Sequence, residues 1–187
     1  MKKINMNTVQ EAGGFSRPEA GAYICVIRKV EDNESREYLR IFYDIAEGEF
    51  KGYYDNLRAD HPDWENAGSY VRSYKARALP FFKRFCSAVS KSNGSFVFDG
   101  GNINADERTL AGKKVGIVFQ EEEYYGNDGE KKTRLIVYKE FPADQIDKQK
   151  VPNMKKVADD QEYQGSGKGD DSFMNLPDSD EDEIPFS

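Results

Sequence analysis

The chain is poor in the groups from which most catalytic and metal centres are built. Its 187 residues include one histidine, His61, and two cysteines, Cys25 and Cys86. That leaves too few ligands for a zinc centre, too few groups for a histidine-based triad, and no disulfide framework. His61 lies in the turn-like run Ala59-Asp60-His61-Pro62, where an ordinary surface histidine is expected. Cys25 falls within an apolar strand-like run and Cys86 within a helical one, so both read as small core groups. No Walker-type phosphate loop occurs. No stretch approaches the roughly 18 apolar residues of a membrane helix. The opening MKKINMNTVQEAGG has two lysines but no apolar run behind them, unlike a secretory signal. The expectation is a cytoplasmic, non-enzymatic protein without cofactor or metal. The many carboxylates leave a metal-dependent nuclease as an alternative without a nameable site.

Apolar residues are also scarce, at 37%, but 12 Phe, 11 Tyr and 1 Trp are present. Aromatics each bury a large area, so a modest core is within reach. Charge is unevenly spread. Residues 158–187 hold ten acids against Lys168, a net of −9, whereas 1–157 hold 26 bases and 24 acids. The formal net charge of −7 therefore describes a slightly basic body carrying an acidic tail. The tail has a Gly/Ser linker and no periodicity, and its few apolar groups cannot offset the entropy of ordering. The reading is a folded domain over 1–157 and a disordered protein-interaction tail over 158–187.

Within the body, Gly21 to Val30 is rich in β-branched residues and reads as a strand. Tyr38 to Ala46 alternates, with Leu39, Ile41, Tyr43 and Ile45 on one face and Tyr38, Arg40, Phe42 and Asp44 on the other. Phe50 to Leu57 reads as a third strand. Ala78 to Lys91 changes to helical spacing, with Phe82, Phe85 and Val89 on one face and Pro80 in the first turn. Lys113 to Glu121 and Thr133 to Phe141 read as the last two strands. The first places Val115, Ile117 and Phe119 on one face; the second places Leu135, Val137 and Phe141 on one face. Asn127-Asp128-Gly129 signals a hairpin between them. Three strands, a helix and two strands is the order of a mainly β OB-fold, a five-stranded Greek-key barrel, and an order that other small α+β domains share.

Single-strand binding needs aromatic faces for bases and cations that follow the phosphates. Arg40 and Phe42 share the face opposite the apolar stripe of the second strand, where Phe42 could equally build a second small core patch. Lys51, Tyr53, Tyr54 and Arg58 interleave the two residue types in the next segment. Tyr70, Arg72, Tyr74, Lys75 and Arg77 form the most basic stretch, which a solvated helix face would resemble. The hairpin offers Tyr124 and Tyr125 with Lys131, Lys132 and Arg134, opposed by Glu121 to Glu123. At the terminus, Asp180-Glu181-Asp182-Glu183 precede Ile184-Pro185-Phe186: acids to steer toward a basic patch and an apolar plug to fill a pocket there.

This ending resembles the acidic tip of bacterial and phage single-stranded DNA-binding proteins, which recruits replication, recombination and repair enzymes. Those tips usually end at Phe, whereas Ser187 follows here. The body adds a second resemblance. Phe15 to Tyr23, Gly48 and Gly52, Tyr70 to Phe85 with Ser92-Asn93-Gly94, Leu110 to Gly116 and Glu123 to Gly126 are similar to a family of phage and mobile-element proteins of Gram-positive bacteria. The resemblance implies an OB-fold that coats and protects single-stranded DNA during replication or recombination. The competing reading is an acidic adaptor or DNA mimic whose body binds no DNA. Self-association into a homo-oligomer is compatible with either; a membrane partner is not.

Overall fold

The computed structural model describes residues 17–64, 66–126 and 128–157. They form a five-stranded antiparallel sheet with one main helix. The strands are β1 (Gly21–Asn33), β2 (Tyr38–Ile45), β3 (Ser69–Ser73), β4 (Lys114–Tyr125) and β5 (Lys131–Phe141). A short helix α1 (Tyr53–Asp60) separates β2 from β3, and α2 (Leu79–Ser92) separates β3 from β4. The acidic tail, with Asp180 to Phe186, lies outside the described residues. None of the helices described is long and apolar enough to cross a membrane.

The inner face carries the core. Cys25, Ile27 and Val30 of β1 meet Leu39, Ile41, Tyr43 and Ile45 of β2 and Val115, Ile117 and Phe119 of β4. Onto them α2 lays Phe82, Phe85, Cys86 and Val89, spaced as one helical stripe. Burial pushes the Cys86 thiol up to about 12 and raises that of Cys25 as well, so both are inert core groups. The Asn93 amide ends α2 by donating to the Val89 and Lys114 carbonyls, and its oxygen accepts from the Lys114 N–H.

Three expectations need correction. The third strand is not Phe50 to Leu57, which forms a turn followed by α1. Two tyrosines favour a strand by propensity, but here tertiary contacts decide. Gly52 takes φ +80°, and Asp44 on β2 accepts the Tyr54 N–H at 3.0 Å in place of an N-cap side chain. The Tyr54 ring then packs edge-on against Tyr43. The actual third strand is Ser69–Ser73, whose Tyr70 and Arg72 point inward.

Phe141 also leaves the face of Leu135 and Val137. The β4–β5 ladder pairs Phe119 with Val137 but Val118 with Lys139, so Tyr138 is an extra residue. One extra residue reverses the alternation. Glu140 therefore faces inward opposite Ile117, and Phe141 faces outward opposite Gly116.

Finally, the sheet is not closed into a barrel. Its order is β3-β2-β1-β4-β5, and among the described residues no backbone ladder joins the edge strands β3 and β5. Side chains bridge them instead. Arg72 Nε donates to Glu140 Oε1 at 2.5 Å, and Arg84 of α2 approaches the other carboxylate oxygen at 4.0 Å. Helix α2 contacts β3, β4 and β5, and so lies over the gap.

Candidate nucleic-acid interface

The outer face of the sheet is divided. Over β1 and β4, the 3₁₀ turn Ala143–Lys148 covers it, with Ile146 buried and a Cβ on Gly116 placed only 3.0 Å from Ile146 Cδ1. Over β1, β2 and β3 the register builds cross-strand rows: Lys29-Phe42-Ser69, Glu31-Arg40-Val71 and Asn33-Tyr38-Ser73. A bulge between Ile27 and Lys29 allows Val30 to face inward while Lys29 stays beside Phe42.

Phe42 is 9% exposed yet stands apart from the core cluster. The Lys29 ammonium lies 5.6 Å from its ring centroid and pairs with Glu31 at 2.5 Å. Arg40 donates to the Asn66 side-chain oxygen in the segment leading into β3. Arg28 pairs with Asp55 at 2.7 Å and Asp44 at 3.6 Å. Burial raises the Asp44 pKa, as does the nearby Asp55 carboxyl, whereas Tyr54 and Ile45 N–H groups oppose the shift. Asp55 moves the other way: burial is outweighed by hydrogen bonds and by the charges of Arg28 and Arg58. This face thus combines an aromatic ring, three cations and hydrogen-bonding groups, with Lys29 and Arg28 held by acids and Arg40 by the Asn66 amide oxygen.

The remaining sequence candidates fall into three other places. Tyr54 and Arg58 are structural: Arg58 donates to the Ala67 carbonyl at 2.6 Å and pairs with Asp55, while Tyr53 leans edge-on against Tyr54. Lys51 is exposed in the turn before α1. Tyr70 and Arg72 belong to the interior, with the Arg72 guanidinium 4.7 Å over the Tyr70 ring. Tyr74 donates to Asp32 at 2.8 Å and packs edge-on against Phe82, with Lys75 and exposed Arg77 in the connection to α2.

The third place is the β4–β5 hairpin. By register Tyr124, Lys132 and Arg134 share one face, and Tyr125 and Lys131 pair on the other. Arg134 lies 5.1 Å over Tyr124 and pairs with Glu122 at 2.6 Å; Lys155 reaches the same carboxylate at 3.1 Å. Burial raises the Glu122 pKa, but these two cations outweigh it and the net shift is downward. Lys132 pairs with Asp128, and Lys131 stands 5.9 Å from the Tyr125 ring. The turn residue Asn127 lies outside the described residues. Among those residues, no three His, Cys, Asp or Glu side chains are grouped to hold a metal ion.

Sequence reasoning therefore placed Arg40 and Phe42 together but missed Lys29, whose position depends on the bulge. It also passed over Trp64, the chain's one tryptophan, which is 51% exposed in the α1–β3 connection. A tryptophan between acids in a turn was the available signal. No family model and no curated protein matches this sequence.

Proposed function

We propose that the protein is a non-catalytic single-stranded DNA-binding protein whose outer β1–β2–β3 face holds the strand. The observation that carries this reading is the row Lys29-Phe42-Ser69 beside Arg40, on the part of the outer face beyond the Ala143–Lys148 turn, where Phe42 is buried outside the core cluster with the Lys29 ammonium near its ring. The strand order with α2 between β3 and β4 supports an OB-fold opened between β3 and β5. In that fold the face of strands two and three takes oligonucleotides. A phosphate can draw Lys29 from Glu31, and a base reaches the Phe42 ring once the side chains over it, Lys29 among its neighbours, move aside. In this reading the protein coats single strands during replication or recombination, and the tip Asp180 to Phe186 recruits partner enzymes.

Fluorescence anisotropy with labelled oligo(dT) tests it. Lys29 and Arg40 together give a log–log salt slope of roughly −1.4, at about −0.7 per neutralised phosphate. Phe42→Ala should weaken binding by roughly 1–3 kcal/mol if a base stacks there. Equal competition by duplex DNA would contradict the reading. The adaptor alternative draws on one observation, that Lys29, Lys132 and Arg134 already face carboxylates. It predicts no oligo(dT) binding by the chain but capture of a replication or recombination enzyme, lost in Phe186→Ala.

A further inference from the structure

Trp64 is held in a way that an idle surface aromatic does not require. Its indole stacks on the His61 ring, with centroids 4.4 Å apart and planes 17° from parallel. His61 covers one face, and at 51% exposure much of the indole still meets solvent. The backbone beneath is fixed by successive turns: Trp64 N–H to the His61 carbonyl, Ala67 N–H to the Trp64 carbonyl, and Ser69 N–H to the Asn66 carbonyl. Arg58 pins the Ala67 carbonyl at 2.6 Å, and Gly68 at φ +64° lets Tyr54 lie where a Cβ would stand. The same connection supplies Asn66, the acceptor for Arg40. An aromatic platform therefore lies in the same connection that hydrogen-bonds Arg40 of the outer β1–β2–β3 face.

We propose that Trp64, backed by His61, is a stacking platform for an unpaired base of the bound strand; the inference rests on the single-strand reading above. The loop's charge sets the mode of contact. Asp60 and Asp63 lie within four residues of Trp64 in sequence, so phosphates are repelled there while an uncharged base is not. The backbone then follows Lys29 and Arg40, and the base turns toward the indole. Stacking on a preorganised ring loses little entropy on binding.

Trp64 is the sole tryptophan, so emission of the full chain excited at the red edge, where its 11 tyrosines do not absorb, reports this position alone. Unlabelled oligo(dT) should quench it. In parallel, anisotropy of labelled oligo(dT) should show about tenfold weaker binding by Trp64→Ala, within the range for one stacked base. The salt slope should not change, because no phosphate contact is removed. Trp64→Phe should keep most of the affinity and controls for loss of the loop. If oligo(dT) binds while emission and the Trp64→Ala affinity stay unchanged, the platform is refuted and the single-strand reading survives. A flattened salt slope in Trp64→Ala also overturns it, since the loop would then be contacting phosphate. Emission that responds to an arginine-rich peptide but not to oligo(dT) would assign the platform to a basic protein partner instead. No anisotropy change with any oligonucleotide removes both the single-strand reading and this proposal.

Discussion

Replacing Glu140 tests how the open sheet keeps its edges together. The carboxylate side chain is fully buried, faces Arg72 at 2.5 Å, and has Arg84 at 4.0 Å. At an effective dielectric of about 20, two charges 4 Å apart attract by about 4 kcal/mol. Desolvation cancels much of that in the intact pair, but removing one partner leaves the other charge uncompensated at a cost of about 3–5 kcal/mol. Glu140→Ala leaves two guanidiniums facing each other beneath α2 and should lose that amount. This is a large part of the roughly 5–15 kcal/mol available to a domain. Glu140→Gln keeps an acceptor for Arg72 and should lose less. Arg72→Met should also lose less, because Arg84 remains beside the carboxylate. The double variant Arg72→Met/Glu140→Ala should recover much of the Glu140→Ala loss, giving a coupling of at least about 2 kcal/mol. Urea unfolding followed by far-ultraviolet circular dichroism measures each corner of the cycle. A Glu140→Ala cost below about 1 kcal/mol, with no coupling, would show that α2 alone holds β3 to β5.

Tyr70→Ala should cost about 3–5 kcal/mol of stability, because the ring lies in the core. Tyr70→Phe should change stability by less than about 1 kcal/mol, since the hydroxyl makes no hydrogen bond of ordinary geometry; a large loss in urea unfolding would refute this. Gly68→Ala should destabilise the domain and displace the Trp64 loop, because its Cβ would stand 2.6 Å from Tyr54 at a positive φ; unchanged melting and Trp64 emission would contradict that. Glu122 has a folded-state pKa below its usual 4.5, so its stabilising effect is present above that value and lost as pH falls through the folded pKa. Unfolding of wild type and Glu122→Gln should therefore differ most near neutrality and converge on acidification, and a gap that widens on acidification would have the wrong sign.

Much of this arrangement could be read from alternation and helical spacing. Leu39, Ile41, Tyr43 and Ile45 are inward as expected, and α2 occupies Leu79–Ser92 against an expectation of Ala78 to Lys91. What escaped was decided by contacts distant in sequence. The α1 segment has strand-like tyrosines, and only the Asp44 carboxylate ten residues away completes its first turn. Tyr70 and Arg72 looked like surface binding residues because an arginine carries charge. The bulge at Tyr138 rotates Glu140 inward and gives Arg72 a buried partner. The bulge at Arg28 likewise brings Lys29 to Phe42, and neither bulge leaves a glycine or proline as a marker. Residue type therefore suggests candidate chemistry, and long-range register decides which of those residues share a face.

The central claim is that the outer β1–β2–β3 face holds single strands. Amide chemical-shift mapping of the ¹⁵N-labelled full chain, titrated with oligo(dT), tests it most directly. The account predicts perturbations clustered at Lys29, Arg40, Phe42 and Ser69, extending to Trp64 and Asn66. Perturbations confined to the β4–β5 hairpin around Tyr124 and Arg134, or none at saturating oligo(dT), would contradict it.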